Sequence, residues 1–126
     1  MEASTQEIQI VALEAGPTLE IIEGGGSAHA VIWPGMGARL RSIHRIELCA
    51  GARTVPLRHP SEAVYYVVQG SGEVLDMDGD GSQALRPGSM AHIDAGTTYS
   101  FTAADAGLSL VGGPCPPDPA LYEGVA

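Results

Sequence analysis

Residues 51 to 70 read Gly51-Ala52-Arg53-Thr54-Val55-Pro56-Leu57-Arg58-His59-Pro60-Ser61-Glu62-Ala63-Val64-Tyr65-Tyr66-Val67-Val68-Gln69-Gly70. Two short β-type runs lie between the glycines, parted by the breaker Pro60. Successive side chains of a strand point to opposite faces, so the first run, Thr54 to His59, sets Leu57 and His59 on one face and Arg58 on the other. The second run, Ala63 to Gln69, carries Ala63, Tyr65 and Val67 on one face and Val64, Tyr66 and Val68 on the other. Apolar side chains on both faces call for cover on both. A barrel interior covers one side in this reading, and a second subunit covers the other.

Upstream, Arg39 to Cys49 alternates Leu40, Ser42, His44, Ile46 and Leu48 with Arg39, Arg41, Arg45 and Glu47, which predicts a half-buried strand with His44 inward. Downstream, Asp78-Gly79-Asp80-Gly81 predicts a hairpin turn. Further strands are expected at Ser82–Arg86, Ser89–Ile93, Thr98–Thr102 and Leu108–Val111, and before the deciding stretch at Glu7–Leu13, Thr18–Ile22 and Ala28–Trp33. No long window keeps a 3.6-residue period, so the chain reads as all-β, a barrel or sandwich. Near the end, Asp118, Pro119 and Gly124 predict one helical turn, with Asp118 as its N-cap. The prolines after Cys115 make that segment stiff, and it is expected to pack over the outer sheet.

The whole chain, 126 residues, has the size of one domain, with a barrel over about 28–111 and a proline-rich tail over 112–126. Apolar residues make up 44% of it, and no run is long enough to span a bilayer. Fifteen acidic residues face six arginines and no lysine, a net charge of −9 that argues against nucleic-acid binding. Without lysine there is neither Schiff-base chemistry nor a Walker A loop. The acidic, polar start has no signal-peptide pattern, so a cytoplasmic protein is expected. Cys49 and Cys115 read as ordinary thiols. Asp76-Met77-Asp78-Gly79-Asp80-Gly81 matches the opening of a calcium loop, but Pro87 stands where its bidentate glutamate belongs, so a plain hairpin is the expectation.

The stretch 51–70 resembles the first signature of the cupin superfamily, in which two glycines bracket His-x-His and a glutamate. Pro87-Gly88 through Gly96 and Tyr99 resembles the second. The resemblance spans roughly Arg45 to Val111 and implies a single double-stranded β-helix, or jelly-roll barrel. It also implies a metal site of three histidines and a glutamate, and here the ligands have drifted. The first histidine position holds Leu57, the second keeps His59, the glutamate position holds Ala63 and the last histidine position holds Tyr99. Neighbouring Glu62 points to the opposite face.

Leu57 and Ala63 offer a metal nothing, and one imidazole does not hold a divalent ion tightly. No cofactor is therefore expected, the alternative being a divalent transition metal held by His44, His59 and Tyr99. The expected function is binding of a small molecule in a pocket walled by Leu57, His59, Ala63, Tyr65, Tyr99 and His44, in a homodimer with neither nucleic-acid nor membrane partner. The alternatives are a metal-free isomerase, epimerase or cyclase with His59 as base and Tyr99 as acid, a metal-dependent oxygenase with unusual ligands, and a structural protein whose barrel is filled by side chains. His29 and His92 read as structural or surface residues.

Overall fold

The computed structural model describes residues 7–125. Its strands are β1 (Ile22–Glu23), β2 (Gly26–Ile32), β3 (Ile43–Leu48), β4 (Arg53–Thr54), β5 (Glu62–Asp76), β6 (Ser82–Leu85), β7 (Met90–Ile93) and β8 (Tyr99–Cys115). Short 3₁₀ turns occupy Pro34–Met36 and Pro119–Tyr122. All ladders are antiparallel, and the sheet path runs β1-β4-β8-β3-β2, with β5 joining β8 to β6 and β7.

The two long strands do most of the rolling. The first half of β5 pairs with β7 and with the C-terminal half of β8, and its second half pairs with β6 and the start of β8. Each long strand therefore crosses from one layer to the other, turning at Gly70 (φ 85°) and Gly107 (φ 77°). A Cβ on Gly70 would stand 2.1 Å from the Gly107 carbonyl oxygen, so the corner admits no side chain there. Inside, Ala28 and Ala30 of β2 lie opposite Ile46 and His44 of β3, and the Tyr65 and Phe101 rings pack edge to face with centroids 4.7 Å apart.

Several strand limits differ from the sequence reading. Glu7–Leu13 forms no strand, and Ile8 and Ile10 are exposed. The strand expected from Arg39 begins at Ile43, because β2 offers partners only up to the Ile32–Ile43 pair; Leu40 is 71% exposed rather than inward. The Thr54–His59 run is laddered only at Arg53–Thr54 and bridges once more at Leu57–Tyr99. Pro56 lacks the N–H a continuous ladder needs, and the alternation changes phase there: Thr54 is buried, Pro56 exposed, and Leu57 and His59 buried again. Thr98–Thr102 and Leu108–Val111 are one strand, β8, that continues to Cys115.

The hairpin at Asp76–Gly81 is formed as expected, with Asp76 Oδ1 accepting from the backbone N–H groups of Asp78 and Gly79. Asp118 N-caps the last turn by accepting from the Ala120 N–H. The tail does not lie on the outer sheet. It begins only after β8 ends, and it folds across the end of the barrel where His44 and His59 point.

Candidate functional site

Local pairing sets each wall of the barrel interior. The Leu57–Tyr99 bridge, two backbone bonds of 2.8 Å, fixes those residues side by side, and the His59 carbonyl accepts from the Gly96 N–H. Tyr65 lies opposite Ala91 on β7 and Gly112 on β8. A Cβ on Gly112 would come within 2.8 Å of the Tyr65 ring, so the bare backbone there gives the phenol its room. Leu57, His59, Ala63, Tyr65, Tyr99 and His44 are all buried.

Three of these side chains and Asp118 of the tail form one hydrogen-bonded chain. Asp118 Oδ2 lies 2.8 Å from His59 Nδ1, His59 Nε2 lies 2.8 Å from the Tyr99 hydroxyl, and that hydroxyl lies 2.6 Å from the Tyr65 hydroxyl. A carboxylate only accepts, so His59 donates from Nδ1. In the tautomer that carries its proton on Nδ1, His59 accepts at Nε2 from Tyr99, whose oxygen accepts from Tyr65. Beside this chain, His44 Nε2 lies 2.6 Å from the Tyr122 hydroxyl, and the Tyr122 ring packs on Trp33 with centroids 5.2 Å apart.

Burial governs the protonation of this cluster. It raises the Tyr99 phenol far above its ordinary value, with the neighbouring Tyr65 adding to the effect, and it raises Tyr65 as well. Both phenols are therefore proton donors and not phenolates. Burial, reinforced by His59 nearby, lowers His44 to about 4, so His44 is neutral near pH 7.

These residues do not fit the metal centre that the superfamily implies. Leu57 and Ala63 have no donor atoms. Both His59 nitrogens are engaged, His44 Nε2 is turned to Tyr122, and Tyr99 is held as a phenol. Among the described residues no three His, Cys, Asp or Glu side chains stand together as a ligand set.

A cleft of about 520 Å³ opens between β6 and β7, walled by Leu75, Leu85, Ala91 and Ile93, with Asp94 on its lining and Tyr99 reached at the barrel. Of the hydrogen-bonded chain, Tyr99 alone lines this cleft. His92 is exposed, 3.2 Å from Glu62, and half-buried His29 stands on β2 with its Nδ1 unpartnered among the described residues. Cys49 and Cys115 are free thiols. Sequence reasoning missed Asp118 and Tyr122 as site residues: capping already accounted for Asp118, and no local pattern marked Tyr122.

The cupin domain family pattern matches residues 44–110, just over half of the chain. Among solved structures, a cupin-like protein from Thermotoga maritima superposes with a TM-score of 0.69 at 19% identity, covering 83% of this chain and 79% of that one. KdgF from Halomonas sp. gives 0.68 at 18% identity over 89% of this chain and 98% of that one. An RmlC-like cupin from Shewanella frigidimarina gives 0.66 at 18% identity, covering 86% and 92%. No curated protein matches the sequence. At these identities the likeness establishes the fold alone. No helix among the described residues is long and apolar enough to cross a membrane. The family match over residues 44–110 and the rolled antiparallel sheet lead to one conclusion: the chain belongs to the cupin domain family.

Proposed function

We propose that this cupin binds a small organic molecule and does so without a resident transition metal. The observation that carries the reading is the cleft of about 520 Å³ that ends on Tyr99, the residue at the family's last histidine position. Such a volume suits a small ligand, and Tyr99 adds a buried polar group to a lining that mixes polar residues such as Gln83, Asp94 and Thr97 with apolar ones, which supplies orientation. Tyr99 donates its one proton to His59, so it meets the ligand as a hydrogen-bond acceptor with His59 behind it.

A second reading draws on the 2.8 Å Tyr99–His59 bond. In it the pair works as acid and base, and Asp118 orients the imidazole, which suits an isomerase, epimerase or cyclase. The reading of the whole protein includes a homodimer through the outer face of β5. There Val64, Tyr66 and Val68 are 41%, 43% and 49% exposed, beside Met90 at 67%.

The test is a ligand-detected NMR screen of polar small molecules against the wild type, Ala91→Trp and Tyr99→Phe. A true ligand binds the wild type, is blocked by the indole filling the cleft, and is weakened by loss of the phenol. Ligands indifferent to Ala91→Trp overturn the placement in the cleft. Turnover lost in Tyr99→Phe and His59→Gln, with binding kept, selects the acid–base reading.

A further inference from the structure

The tail is attached to the barrel end in an unusual way. Pairing of β8 with β5 stops at Cys115 and Glu62. Beyond it, among the described residues, every backbone-to-backbone hydrogen bond of the tail is internal: Leu121 N–H to the Asp118 carbonyl and Val125 N–H to the Tyr122 carbonyl. The bonds that tie the tail to the strands use barrel side chains: Ser61 Oγ donates to the Pro116 carbonyl at 2.7 Å, His59 meets Asp118, and His44 meets Tyr122. The segment can therefore lift without opening any strand ladder.

Leu121, Tyr122 and Val125 pack against the apolar core, but polar groups also lie beneath the tail. A barrel end that only needed filling is best closed by apolar side chains, because buried imidazoles lose solvation that hydrogen bonds must replace. Here two buried histidines face the tail, and the tail answers with a carboxylate on one and a phenol on the other, the phenol ring set against Trp33. We propose that residues 116–125 are a built-in occupant of a binding site at the barrel end, and that the free ligand they stand in for is a small carboxylic acid bearing an aromatic or hydroxylated ring. Its carboxylate takes the place of Asp118 on His59, and its ring hydroxyl takes the place of Tyr122 on His44. The exchange replaces one carboxylate by another, so the acidic protein (net charge −9) gains no further negative charge at the site. The proposal stands apart from the cleft reading: it places a ligand at the barrel end beneath the tail, whether or not the cleft is filled.

The test titrates 4-hydroxyphenylacetate by calorimetry into the full-length wild type and into Asp118→Ala/Tyr122→Ala, with 2-(4-hydroxyphenyl)ethanol as the probe lacking a carboxylate. The double variant should bind one acid per chain at least tenfold more tightly than the wild type, and the alcohol at least tenfold more weakly than the acid. Equal affinity in the two proteins, or no binding to a cooperatively folded variant, overturns the proposal. Should the variant not fold, the wild type decides. Saturating acid should speed hydrogen exchange of the Leu121 and Val125 amides at least tenfold while the Leu110 amide stays protected, and unchanged tail exchange overturns the proposal. Ala91→Trp separates the two sites: acid binding that it leaves intact belongs to the barrel end, and acid binding that it abolishes belongs to the cleft and overturns the proposal.

Discussion

Acidification to about pH 4 should weaken this fold through one residue, His44. The imidazole is buried among Ile46, Tyr122 and the neighbouring His59, and its folded-state value is lowered from 6.5 to about 4 by burial and by His59. The unfolded chain therefore takes up a proton on His44 in a range where the folded chain refuses it. Above 6.5 both states are neutral and the residue has no effect on the balance. As pH falls from 6.5 toward 4 the unfolded state gains, and stability drops. The gap between 6.5 and about 4 corresponds to roughly 3 kcal/mol, a large share of the roughly 5–15 kcal/mol that holds a domain together. The assay is urea unfolding at about pH 7 and about pH 4, on the wild type and on His44→Gln, an uncharged variant able to keep a bond to Tyr122. Acidic residues titrate in both proteins, so the difference between their pH slopes isolates His44. The wild type should lose about 3 kcal/mol more than the variant. Identical slopes would refute the reasoning.

Three further outcomes are expected. Tyr99→Phe strands His59 Nε2 and the Tyr65 hydroxyl in the interior and should cost about 1–3 kcal/mol in chemical denaturation; a neutral result would mean that other partners replace the phenol. The triple variant Leu57→His, Ala63→Glu, Tyr99→His should take up one divalent ion per chain and melt higher with it, while the wild type keeps at most a trace after dialysis, both read by elemental analysis and thermal unfolding. Sedimentation equilibrium should show a dimer that Tyr66→Arg shifts toward monomer, and a monomeric wild type at tens of micromolar would remove the β5 face as an interface.

The fold was legible because its signals are local. Glycines at corners, prolines between runs and period-two alternation each act within a few residues, and together they placed Leu57, His59, Ala63, Tyr65 and Tyr99 on inward faces, where the structure buries them. Alternation misled at Leu40, since a pattern says which way a strand would face but not whether a partner strand reaches that far. It was lost across Val55 and Pro56, where a residue without an N–H breaks the ladder and shifts the phase.

Residue type and short spacing were enough for the all-β class and the family, and they show that Leu57 and Ala63 carry no donor atoms. What closes the barrel emerges only in the folded chain. Asp118 lies 59 residues from His59, and Tyr122 lies 78 residues from His44. Those pairings depend on where β8 ends and which way the chain turns after Cys115, which no local periodicity encodes. In the sequence, Asp118 is complete as a helix cap. In the folded chain the same carboxylate caps the last turn with one oxygen and holds His59 with the other, because β8 delivers it to the one end of the barrel where an imidazole nitrogen stands within reach.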